Sequence, residues 1–204
     1  MSLHIYLAYV LACFVVVIVP GPSVTLIVAN SLRYGQRAGL LNVAGTQLAL
    51  AVMVVVVLLG LASLVAAMGE WFVWIKLAGA AYLIWLGWKL IFASGGGISG
   101  KAATRPRGGF FLQGLAVALS NPKTLLFFGA FFPQFLDPAR DFTLQVLIMG
   151  ATAMVVAALS DSAYAVAASR ASTTLSHRRL RLVTRASGGF LIGGGLWLAL
   201  SRAT

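Results

Sequence analysis

A chain of 204 residues that is 60% apolar, only 9% charged and has a mean hydropathy of +0.96 falls outside the range of water-soluble domains and reads as an integral membrane protein. Period-two alternation is missing and the apolar runs are too long for barrel strands, which excludes an outer-membrane barrel. The formal charge of +11 would suit nucleic acid, yet the placement of the cations assigns them to a membrane. Apolar stretches lie at 3–30, 38–67, 71–93, 109–135, 142–169 and 183–202, each near or above the roughly 20 residues that a spanning helix needs. The expected fold is therefore all-α, with six transmembrane helices.

The first stretch has no basic residue near its start and no small-x-small cleavage site, so it is read as a retained helix rather than a leader. Its inner part contains "VPGPSVTLIVANS" at 19–31. Pro20 and Pro22 each remove a backbone donor and clash with the preceding turn, so the helix should break there. Gly21 followed by Pro22 then serves as a restart signal, because glycine is accepted at the N-cap and proline is favoured at the first helical position. Ser23 and Thr25 follow in the first new turn. The second stretch carries Asn42, Thr46 and Gln47, polar groups that suit either a substrate or a neighbouring helix. Cys13 is the single cysteine, so no internal disulfide or cysteine metal cluster is expected; no cofactor is expected either.

The connection at 94–108, "SGGGISGKAATRPRG", is the one low-complexity segment and reads as a flexible cytoplasmic linker between two halves, 1–93 and 109–204. The halves echo each other. "GPS" at 21–23 has its counterpart in "NPK" at 121–123, and "KLAGAAYLIWLG" at 76–87 in "RASGGFLIGGGL" at 185–196. Three spans per half is an odd number, so the second half should be inverted relative to the first, with helices 1 and 4 both broken. Asn121 and Pro122 repeat the restart signal. Two helix N-termini then meet near the midplane, each with free N–H groups and partial positive charge suited to a carboxylate. Non-helical backbone at that depth requires a cover of protein or water, so the breaks imply a site.

Two buried charges sharpen the expectation. Lys123 follows Pro122 directly and would add a full positive charge to the anion site; an ammonium at that depth costs about 2.5–3.5 kcal/mol even on the lenient insertion scale, and normally faces a cavity. Asp161 is the one acidic residue within an expected span, since Glu70, Asp137 and Asp141 fall in connections. It is a proton-coupling candidate, or else a group that holds an ammonium or neutralises a cation such as Lys123 or Arg170. The substrate-binding candidates are thus Pro20, Gly21, Pro22, Ser23, Thr25, Gln47, Asn121, Pro122 and Lys123.

Arg33, Arg37, Lys89, Lys101, Arg105, Arg107, Arg170, Arg178, Arg179, Arg181 and Arg185 follow odd-numbered spans, whereas Lys76, Arg140 and Arg202 lie on the opposite side. The positive-inside rule puts the first group in the cytoplasm and both termini in the periplasm. These cations also suit anionic lipid, and no nucleic acid is needed to explain them.

"PGPSVTL" at 20–26, "KLAGAAYLIWLGWKL" at 76–90, "NPKTLLFFGAFFPQF" at 121–135 and the basic connection before the sixth span resemble the LysE/RhtB family of bacterial amino-acid exporters over almost the whole chain. The resemblance implies six helices in two inverted repeats in the bacterial inner membrane, efflux of a small amino acid driven by the ion gradient, and a homodimer. It carries Pro20, Gly21, Pro22, Asn121, Pro122 and Lys123 by motif; Asp161 rests on charge alone. The competing classes are an intramembrane enzyme, a channel and a scaffold. A serine enzyme would want a base, and His4 and His177 are both terminal to spans; an aspartyl enzyme would want a second carboxylate within a span.

Overall fold

The computed structural model describes residues 1–60, 70–92, 109–137, 139–174 and 177–200. Among these residues the chain forms eight α-helices and no strand: α1 (Leu3–Ile18), α2 (Pro22–Tyr34), α3 (Gln36–Leu58), α4 (Glu70–Phe92), α5 (Gly109–Leu119), α6 (Pro122–Leu126), α7 (Phe142–Thr174) and α8 (His177–Leu200). The linker expected at 94–108 lies outside the described residues, as do 61–67 of the second apolar stretch.

Both expected breaks are present. Gly21 is extended (φ −118°, ψ −170°) with Pro22 opening α2, and α1 and α2 meet at 49°. Asn121 is likewise extended (φ −78°, ψ 113°) with Pro122 opening α6, and the second pair bends by 50°. After Leu126 the chain loosens into a π turn, Phe127–Phe131, and then tightens into a 3-10 turn, Phe132–Phe135. Pro133 explains the change of pitch, since it has no N–H to donate to the turn behind it. Gly35 separates α2 from α3 at φ 85°, in the left-handed region that glycine enters without penalty.

By length and composition, α3 and α7 can each cross a membrane, and up to four such spans exist among the described residues if each bent pair counts as one. Helix α7 has 33 residues, about 50 Å at 1.5 Å per residue, and so outreaches a hydrocarbon core of about 30 Å. This changes the setting of Asp161. The expected span ended at 169, but the helix runs on to Thr174, which leaves the carboxylate well inside the element. Likewise α8 begins at His177, so Arg178, Arg179 and Arg181 belong to a helix rather than to a loop. Arginine is a good helix former, and nothing local interrupts the run.

The helices are apolar outward as well as inward. Leu3, Leu7, Leu11, Phe14 and Ile18 of α1 are all exposed, a stripe that in water would face a core and here suits lipid. One buried cluster joins Tyr9 and Cys13 of α1 to Leu50 and Val54 of α3, to Phe127 and Phe132, and to Val146 and Met149 of α7; the Tyr9 hydroxyl donates to the Met149 carbonyl at 2.8 Å. A second cluster joins Leu26 of α2 to Leu83 and Leu86 of α4, Val117 of α5 and Leu191 of α8. Asn30 of α2 donates to Asn42 of α3 at 2.8 Å and to Gln113 of α5 at 2.9 Å. Asn42 in turn donates to the Phe110 carbonyl, so this residue is engaged in tying three helices together.

Close approach of α4 to α8 depends on glycine. A Cβ on Gly188 would lie 2.6 Å from the Gly87 carbonyl oxygen, and one on Gly87 would lie 2.4 Å from that of Gly188, whereas a Cβ on Gly189 would meet nothing within 4 Å. Gly188→Ala is therefore expected to destabilise the protein in detergent by about 1–3 kcal/mol through overpacking, while Gly189→Ala should be near neutral. Thermal unfolding of the two variants checks this, and equal melting temperatures would contradict it.

Candidate functional site

The two helix breaks are stitched to each other. Asn121 accepts from the Lys123 amide at 3.0 Å, as an N-cap side chain does, and its amide nitrogen donates to Ser23 Oγ at 2.9 Å. A Cβ added to Gly21 would lie 3.2 Å from Cδ of Lys123 and 3.8 Å from the Asn121 amide atoms. A larger residue at position 21 would therefore crowd the Lys123 side chain, which would have to shift by a few tenths of an ångström.

Between them lies a cavity of about 70 Å³. In α2 the amide of Thr25 bonds the Gly21 carbonyl, and in α6 that of Leu125 bonds the Asn121 carbonyl. Pro22 and Pro122 have no amide, and that of Lys123 is taken by Asn121. The amides of Ser23, Val24 and Thr124 remain, with no carbonyl one turn back in their own helices. All three residues line the cavity. Val16, Leu50, Phe128 and Ala157 supply apolar wall, Thr46 a hydroxyl, and Lys123 and Asp161 the charges. The Thr46 hydroxyl is buried with no hydrogen-bond partner among the described residues.

Lys123 also borders two wider grooves, of about 350 and 550 Å³, that run toward Trp197 of α8. Its ammonium, expected to face an anion, turns instead toward the end of α1. It donates to the carbonyl of Val17 at 3.4 Å and to that of Val19. Tyr164 of α7 completes the arrangement, its hydroxyl donating to the Ile18 carbonyl at 2.9 Å. Asp161 is 4% exposed and has no ion-pair partner within 4 Å among the described residues, where the one such bridge joins Arg140 and Asp137.

Of the sequence candidates, Gly21, Ser23, Asn121, Lys123 and Asp161 line the cavity. Pro20, Pro22 and Pro122 line the 550 Å³ groove beside it. Thr25 and Gln47 are not brought to the cavity. Gln47, with its amide oriented to suit its neighbours, donates to the Met154 carbonyl and accepts from the Ala158 amide, both at 3.2 Å, and so joins α3 to α7. Sequence reasoning passed over Tyr164 and Thr124. Tyr164 lies three residues after Asp161, on the same face of a helix, and that spacing was the available signal. Among the described residues no three His, Cys, Asp or Glu side chains come together as metal ligands.

The profile of the LysE type translocator family matches residues 14–202. An uncharacterized membrane protein of Vibrio cholerae is 33% identical over 212 residues, covering 100% of both chains. The homoserine/homoserine lactone efflux protein of Salmonella typhimurium is 32% identical over 204 residues, 99% of each chain. The leucine efflux protein of Klebsiella pneumoniae is 31% identical over 134 residues, 65% of this chain and 63% of that protein. No solved structure gives a significant match. A translocator profile that spans both helix breaks, together with full-length relatives named for efflux, removes the enzyme reading. The chain belongs to the LysE type translocator family.

Proposed function

We propose that this protein is a secondary exporter of small neutral amino acids across the bacterial inner membrane, driven by the proton gradient. The observation that carries the reading is the convergence of two helix breaks on one cavity. Ser23 and Val24 from the first turn of α2, Thr124 from that of α6, Lys123 and Asp161 all line it, and these residues supply the groups needed to hold a zwitterion and to move a proton. Six spans arranged as two inverted halves, 1–93 and 109–204, account for the similar bends of 49° and 50°. The cation distribution supports termini on the periplasmic side.

Preference for a neutral side chain follows from charge. A substrate with a second positive charge needs further buried acid, and Asp161 is the one carboxylate that lines the cavity among the described residues. Similarity to proteins named for homoserine and leucine efflux points the same way. Overproduction should protect growing cells against toxic levels of homoserine, threonine or leucine analogues, with little protection against lysine or arginine analogues. Faster export of lysine than of homoserine, threonine and leucine would overturn the neutral-substrate reading.

A further inference from the structure

The carbonyls at the end of α1 already hold an ammonium group. Helix α1 stops at Ile18. Its last carbonyls lose their helical partners because Pro20 and Pro22 have no N–H and Gly21 turns out of helical geometry. The other half of the chain supplies replacements. Lys123 Nζ serves Val17 and Val19, and the Tyr164 hydroxyl serves Ile18. The one break therefore creates two opposite poles a few residues apart: acceptor carbonyls where α1 ends and open amides where α2 begins.

We propose that the carbonyls of Val17 and Val19 are the seat of the substrate's α-ammonium group, and that Lys123 fills this seat with its own ammonium until substrate displaces it. The assignment rests on the export reading and deepens it. An α-amino acid carries its ammonium and its carboxylate on one carbon, and the break brings acceptor carbonyls, at Val17 and Val19, and the first amides of α2 within a few residues of each other. With the carboxylate on the amides of Ser23 and Val24, the ammonium lies on the α1 side, where Val17 lines the same cavity. Lys123, once released, stays within the cavity that it shares with Asp161 and adds its charge to the side where the carboxylate binds. Such a seat reads the α-amino group and not the side chain. Homoserine and leucine would then bind by the same contacts.

The test is equilibrium binding to the purified full chain, with radiolabelled L-homoserine and L-leucine competed by analogues. For homoserine these are 2,4-dihydroxybutanoate, which lacks the ammonium, and 3-aminopropanol, which lacks the carboxylate. The wild type should bind the hydroxy acid roughly 10- to 100-fold more weakly than the amino acid, as the loss of one or two charge-assisted hydrogen bonds implies. In Lys123→Met the seat is vacant, so 3-aminopropanol should bind about tenfold or more tightly than it does to the wild type; Lys123→Gln serves if the methionine variant fails to fold. Hydroxy acid bound as well as amino acid, or no gain in amine binding in the lysine variants, overturns the seat. Amine bound by the lysine variants while neither amino acid binds the wild type would uphold the seat and instead sink the export reading.

Discussion

Lys123→Ala is expected to lower amino-acid efflux by about 100-fold or more while the protein still inserts in normal amounts. The side chain stands where the cavity and both grooves meet, and its ammonium satisfies two carbonyls left open by the first break. Hydrogen bonds to a charged group are worth about 1.5–3 kcal/mol each, and the alanine also removes the one cation that lines the cavity among the described residues. Lys123→Arg should rescue poorly. The lysine stem is packed so that even a single carbon on Gly21 would come within 3.2 Å of it, and a planar guanidinium is broader than an ammonium. Efflux rate per unit of membrane-inserted protein checks both variants. Unimpaired export by the alanine variant would leave Lys123 as a structural tie alone.

Asp161→Asn is expected to stop gradient-driven export, by about tenfold at least, and to leave substrate exchange nearly intact. Asparagine keeps the shape of the side chain but cannot cycle a proton, and exchange of one substrate molecule for another needs no net proton movement. The position suits proton coupling, since the carboxylate is buried at 4% exposure, far from either end of α7, in the same cavity as Lys123. If Asp161 served only to balance the lysine, the double variant Asp161→Asn with Lys123→Gln would regain activity, because the two charges would vanish together. Parallel assays of net export and exchange separate the roles. Recovery in the double variant would contradict proton coupling at this residue.

The breaks were legible because proline chemistry is local. Pro20–Gly21–Pro22 and Asn121–Pro122 each remove an N–H and disfavour a continuous helix through local sterics, and the structure bends at both places. The contact between the breaks was less legible. That Asn121 reaches Ser23, and that Lys123 turns back onto α1, depends on how two segments about a hundred residues apart cross, which spacing alone does not encode. Gln47 shows the same limit. Its place among polar residues of α3 allowed a substrate or a helix partner, and the structure gives it to the backbone of α7. The ends of α7 and α8 were misjudged for another reason. Hydropathy reports where a helix is apolar, not where it stops, and the arginines at 178, 179 and 181 fall within a helix that begins at His177 without breaking it. Tyr164 escaped notice because a lone tyrosine in an apolar helix commonly marks an interface; only the position of the broken carbonyls turns it into a cap.

Counterflow in liposomes tests the central claim most directly, because it asks whether the two breaks form a substrate site in a carrier. Vesicles containing the purified protein and loaded with unlabelled homoserine or leucine should transiently concentrate external labelled substrate above its equilibrium level, and Asn121→Ala, which removes both the cap on α6 and the bond to Ser23, should reduce that overshoot severely. Labelled substrate that only equilibrates through the wild type would mark a channel, and an undiminished overshoot in the Asn121 variant would place the substrate site away from the helix breaks.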